Sequence, residues 1–218
     1  MNKFKYFVAV FLICLTQASS FKVGAGSKYR MTMQEGTSAD VSIYITENKF
    51  GSLGVEYFIS AGVLLPVQMW QQFILGMEPG SPIFVKAGYI KIPELKKPEK
   101  LTSAYLNVND GVRVDDFLFS EPKELEKFRV GQEKVEVPAG SVMAIHYRKK
   151  RAGQTIDFWI SDSAKPIALI KLTSKGKKPT HNYTLELTEL LKNVKRTINP
   201  NESVPLSEKG KAYLPKPL

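Results

Sequence analysis

The sequence predicts a mainly β fold of α+β character, a curved antiparallel sheet or incomplete barrel of about nine or more strands with one to three short helices. Three features predict it. Apolar and polar residues alternate at period two through most of the chain. Turn residues interrupt that alternation about every 8–12 positions. Helical spacing is confined to short stretches. Such a sheet must close, fold over or be covered, because a single flat sheet leaves one apolar face in water.

The elements follow in order. Residues 1–20 read as a secretory signal peptide. Lys3 and Lys5 form its basic start, Tyr6 to Leu15 its uncharged apolar run, and Gln17-Ala18-Ser19-Ser20 its small-residue cleavage region, with cleavage placed near Ser20. The apolar run is too short to span a bilayer. Gly24-Ala25-Gly26-Ser27 reads as flexible chain after it. Three strands joined by short turns come next: Tyr29, Met31 and Met33; Val41, Ile43 and Ile45; then Leu53, Val55, Tyr57 and Ile59. Residues 62–76 fit both helical and strand spacing, and the reading favours a strand to Leu65 and then irregular structure or a further strand. Met77 to Lys100 carries four prolines and reads as a surface excursion with one short strand near 83–92. A strand is expected over 112–119, and a short helix capped by Ser120 runs to about Phe128. The C-terminal half reads as five antiparallel strands: Glu133–Val137, Ser141–Lys149, Gln154–Ile160, Ile167–Thr173 and Asn182–Thr188. Leu187, Leu190, Leu191 and Val194 then suggest a short helix near 188–196. Residues 21–198 are thus one β-rich domain, and 199–218 an irregular basic tail.

Composition narrows the function. The chain has 218 residues with 31 Lys+Arg against 21 Asp+Glu, 2 His and 1 Cys. Cys14 lies in the leader, so the mature chain has no thiol for disulfides, metal binding or nucleophilic attack. An exported, cysteine-free chain points to a bacterial periplasm. Loss of Lys3 and Lys5 leaves a net charge of +8, read against the +10 of the full chain. Outside the cytoplasm nucleic acid is no expected partner, and the anionic partners would be membrane headgroups, lipopolysaccharide or acidic proteins, with solubility alone as the plainer reading of the excess lysine. Lys96, Lys97, Lys149, Lys150, Arg151, Lys175, Lys177 and Lys178 carry the expectation of an anionic membrane surface.

Catalytic and metal chemistry find little support. His146 and Asp157 fall on neighbouring predicted strands, and Ser161 would complete the residue types of a hydrolase triad. No Gly-x-Ser-x-Gly elbow accompanies them, so a cross-strand hydrogen-bonded pair is the expectation. No HxH or HExxH spacing exists, and no metal or cofactor is expected. The distinctive feature is a surplus of large aromatic side chains. Tyr57, Trp70, Phe73, Tyr147, Phe158 and Trp159 are the candidate lining of an apolar ligand cavity, with ordinary core packing as the alternative.

Glu133-Lys-Val-Glu-Val-Pro-Ala-Gly-Ser141, Ala144-Ile-His-Tyr147, Ile156-Asp-Phe-Trp-Ile-Ser-Asp162 and Pro166-Ile-Ala-Leu-Ile-Lys-Leu172 together resemble the periplasmic lipoprotein carriers of the LolA/LolB-like superfamily. The resemblance covers about residues 130–190. It implies an incomplete antiparallel barrel around short helices, with an apolar cavity for acyl chains and no catalytic residues. The expectation is therefore a non-enzymatic periplasmic protein that binds a lipid or an acylated protein. A structural or protein-interaction module of the envelope without a cavity is the alternative.

Overall fold

A computed structural model describes residues 21–62, 67–77, 84–106, 125–151 and 153–214. The predicted signal peptide, the strand expected over 112–119 and the start of the helix expected from Ser120 lie outside them.

Twelve strands form one sheet: β1 (Gly26–Met33), β2 (Ser38–Lys49), β3 (Ser52–Ala61), β4 (Val67–Gly76), β5 (Phe84–Lys91), β6 (Glu99–Lys100), β7 (Arg129–Val137), β8 (Gly140–Arg151), β9 (Gln154–Ile160), β10 (Leu169–Gly176), β11 (Tyr183–Leu191) and β12 (Val204–Pro205). Among the described residues two short helices, α1 (Ser103–Leu106) and α2 (Glu208–Lys211), accompany them. The order across the sheet is β12-β6-β5-β4-β3-β2-β1-β11-β10-β9-β8-β7, so it is not closed. Every pairing is antiparallel except β12 with β6. Two meanders, β1–β5 and β7–β11, are joined where β1 pairs β11. The mainly β, curved antiparallel class expected from the sequence is the observed one.

Period two explains which face is buried. Tyr29, Met31, Ile43, Ile45, Leu53, Val55, Phe73 and Leu75 are all at most 2% exposed and share the inner face with Tyr147, Phe158, Leu172 and Leu185. An open sheet hides that much apolar surface only by curling. Its far hairpin shows the curl: β7 packs back on β10 and β11. Ala139, at the β7–β8 turn, donates its N–H to the Leu187 carbonyl at 3.0 Å, just beyond Glu186, the last β11 residue that β10 pairs.

Three sequence expectations are corrected, and the choice left open after Leu65 resolves as a further strand. The Gly24–Ser27 stretch is not flexible chain. Gly24 donates to the Ile45 carbonyl at 2.8 Å, and a Cβ on Gly26 would overlap the Ile43 carbonyl. Residues 67–76 form a central strand, since Val67–Gly76 pair with β3 on one side and Trp70–Gly76 with β5 on the other. No helix forms near 188–196. Ser27 and Gly26 of β1 pair with Leu190 and Leu191, and a ladder partner outweighs a local helical pattern. Residues 199–214 are not irregular: they carry β12 and α2 and lie along β6.

Two buried glutamates hold that C-terminal segment. Glu56, 0% exposed on the outer face of β3, accepts the N–H groups of Thr197 at 2.9 Å and Ile198 at 3.1 Å, and the Tyr44 hydroxyl at 2.5 Å. Glu99 accepts the Ser207 N–H at 2.9 Å and its hydroxyl at 2.6 Å. The Ser207 hydroxyl in turn accepts from Gly210 N–H, capping α2. Gly210 must lack a side chain, because a Cβ there would overlap the Glu99 carboxylate.

Candidate functional site: an apolar cleft at one end of the sheet

The curl leaves a cleft of about 420 Å³ where β8 begins and β9 ends. Alternation along β8 sends Met143, Ile145 and Tyr147 to the same inner face, and Ile160 of β9 stands opposite Ile145. Gln132 of β7 flanks Ile145 on the other side. Phe21 and Leu125 supply further apolar walls.

The β9–β10 connection forms the lip. Ser161, at the head of a 3-10 turn over Asp162–Ala164, accepts the Ser163 N–H on its hydroxyl. Ser161 N–H donates to the Ala168 carbonyl at 2.8 Å, closing the loop on itself. Ala168 holds a left-handed φ of 61°, which costs an L-residue energy and marks a tightly determined turn. Glu126, Asp162 and Lys165 stand on the rim. Lys165 pairs with Asp162 at 3.3 Å, and Glu126 with Arg129 at the same separation. The site therefore has an apolar floor and a balanced, solvated rim. It can bury a hydrocarbon chain while its polar end stays wet.

The six aromatic candidates do not converge. Tyr147 alone of them lines the cleft. It stacks at 5.2 Å on Phe158, its partner across the β8–β9 pair, which is 1% exposed. Tyr57 and Phe73 meet edge to face at 5.9 Å in the β3–β4 half of the same core. Trp70 stacks on Phe58 at 4.7 Å and Trp159 on His146 at 4.4 Å, both on the opposite face. Selection by size picked out core packing as readily as a cleft. The lining residues that size missed, Met143, Ile145 and Ile160, were legible as an alternating face but not as an uncovered one.

His146 and Asp157 form the expected cross-strand pair, with Nε2 and Oδ1 at 2.6 Å. Arg148 donates to the same Asp157 oxygen at 2.7 Å. On the other side of the ring, His146 Nδ1 lies 3.3 Å from Glu133, which also accepts the Trp159 indole N–H at 2.6 Å. Ser161 is elsewhere, on the cleft lip, so these residue types do not assemble a relay. The two carboxylates approach opposite ring nitrogens. Among the described residues no group of three His, Cys, Asp or Glu is placed to hold a metal ion.

Several tyrosines are buried deeply enough to resist ionisation. Burial raises the hydroxyl of Tyr57 well above its usual value of 10.0 and pushes that of Tyr183 up to about 12. Tyr29 and Tyr44 are raised for the same reason, with the Glu56 carboxylate adding to the effect on Tyr44. No family model matches the chain, and no curated protein or solved structure is significantly similar to it.

Proposed function

We propose that the protein is a non-enzymatic binding protein of the bacterial periplasm that takes the acyl chain of a lipid, or of a lipid-modified partner, into the cleft between β8, β9 and residues 161–168. The cleft itself supports this reading: about 420 Å³ of concave space with an apolar floor and a charged rim. The residues that resemble the lipoprotein carriers, about 130–190, fall on β7–β11 and their connections, and these strands together with the β9–β10 connection supply most of its lining. Affinity would come from burial at about 25 cal/mol per Å² of apolar surface, so one enclosed chain contributes several kcal/mol.

The test is binding of a fluorescent polyene fatty acid, together with mass spectrometry of lipid extracted from the folded protein. Met143 is 54% exposed and lines the cleft, so Met143→Glu places a charge at the mouth with little effect on the core. It should weaken probe binding about tenfold or more, the equivalent of losing one buried aliphatic side chain. A native protein that carries no lipid and ignores the probe would overturn the reading.

A protein-interaction module is the second reading, and β7 favours it. This nine-residue strand is the outer edge of the sheet, largely exposed, with Val130 at 55%. Exposed edges template strand addition. Loss of partner recovery on Val130→Glu, in a protein free of lipid, separates this reading from the first.

A further inference from the structure

The strand directions collect basic residues that are scattered in sequence. Running antiparallel, β8 ends, β9 begins, β10 ends and β11 begins at one end of the sheet, opposite the cleft. The β8–β9 turn follows Lys149, Lys150 and Arg151, and the β10–β11 turn carries Lys175, Lys177 and Lys178. Lys150 and Lys175 both stand directly opposite Thr155, one on each side. Two strand spacings therefore separate them, about 10 Å, on one face.

No acidic residue interrupts the sequence from Arg148 to Ile156, or from Thr173 to Leu185. Lys150, Lys175, Lys177 and Lys178 are exposed, and among the described residues none of them meets a carboxylate. The nearest acid on β9, Asp157, is taken by Arg148 and His146. The cleft end differs: Lys49 pairs with Glu47 there, and Lys165 with Asp162.

We propose that this lysine pole docks the protein on an anionic lipid bilayer, leaving the cleft mouth facing away from the membrane. Glu35 of the adjoining β1–β2 turn is an acid at this end, where the Gln34 N–H meets the Asn182 carbonyl at 3.0 Å, but the four exposed lysines outnumber it, and such an excess of positive charge produces a field that orients approach as well as attracting. Lysine supplies point charges on flexible stems, suited to a fluid headgroup layer rather than to bidentate recognition of one fixed group. No Phe, Tyr or Trp lies between Lys149 and Thr155 or between Lys175 and Asn182, so stacking platforms for nucleic-acid bases are absent from these turns. The proposal does not depend on what fills the cleft.

Co-sedimentation of the mature chain with phosphatidylcholine vesicles, with and without phosphatidylglycerol, tests it across a salt series. Two triple variants of equal net charge are compared: K150E/K175E/K178E at the pole and K22E/K49E/K192E near the cleft end. The native protein should bind only the phosphatidylglycerol vesicles and release at high salt. The pole variant should lose about fivefold for each lysine removed, while the other variant stays near native. Circular dichroism confirms that both fold, and fatty-acid probe binding, read separately, shows whether the cleft is intact. Equal losses in the two variants, no binding by the native protein, or binding to DNA or polyglutamate in preference to vesicles would each overturn the proposal.

Discussion

Individual side chains divide this molecule into charges that bind backbone and hydroxyls that stay neutral. Glu56 is fully buried and gathers two backbone N–H groups and a phenol. Glu56→Gln keeps the shape but replaces one charged acceptor with an amide that itself donates. It should cost about 2 kcal/mol in urea denaturation and speed hydrogen exchange at Thr197 and Ile198. The tyrosines make a pH prediction. Burial raises Tyr29, Tyr44, Tyr57 and Tyr183 above the value of 10.0 that they share when unfolded. Their stabilising effect is complete below that pH and is lost as pH climbs toward the folded-state values. Each contributes a slope of about 1.4 kcal/mol per pH unit there. Phenolate absorbance should therefore lag a model peptide and then rise together with alkaline unfolding. A titration in which Tyr29, Tyr44, Tyr57 and Tyr183 ionise near 10 with the fold intact would contradict this.

Among the elements, the C-terminal segment departs most from its sequence pattern. Pro200, Pro205 and neighbouring polar residues suggest irregular chain, yet residues 197–214 are tied to β3 and β6 through Glu56 and Glu99. Truncation before Asn199 would strip the Ser207 donors from Glu99, which is 4% exposed. The expected loss is about 2–3 kcal/mol, seen as a lower urea midpoint. Gly210→Ala should reproduce part of it by forcing α2 off the Glu99 carboxylate. Unchanged stability in both variants would mean that the segment merely rests on the sheet. The lesson of β11 is similar: Leu187, Leu190 and Leu191 fall at helical spacing, yet Leu187 stands opposite Tyr29 and, past a one-residue register shift, Leu190 and Leu191 stand opposite Ser27 and Gly26.

The described residues form one sheet with one continuous core, although its two meanders are separate in sequence. Tyr29 of β1 donates its hydroxyl to the Leu169 carbonyl of β10 at 3.1 Å, bridging them through the interior. The two tryptophans offer a direct test, since Trp70 lies on β4 and Trp159 on β9. Single-tryptophan variants should unfold with coincident urea midpoints, as a shared core demands. Midpoints that separate would show two independent folding units.

Strand periodicity, turn chemistry and the absence of sustained helical patterning were enough to read the class of fold, the five-strand order from β7 to β11 and the pairing of His146 with Asp157. These depend on neighbours close in sequence, where alternation and turns act. Long-range partners lie beyond that reach. Which alternating face curls shut and which stays open, so that Ile145 lines a cleft while Phe73 is core, follows from how far the sheet bends. Only the tertiary structure decided that. It also placed a backbone segment some 140 residues away on Glu56, because a buried carboxylate binds whichever N–H groups the folded chain delivers to it.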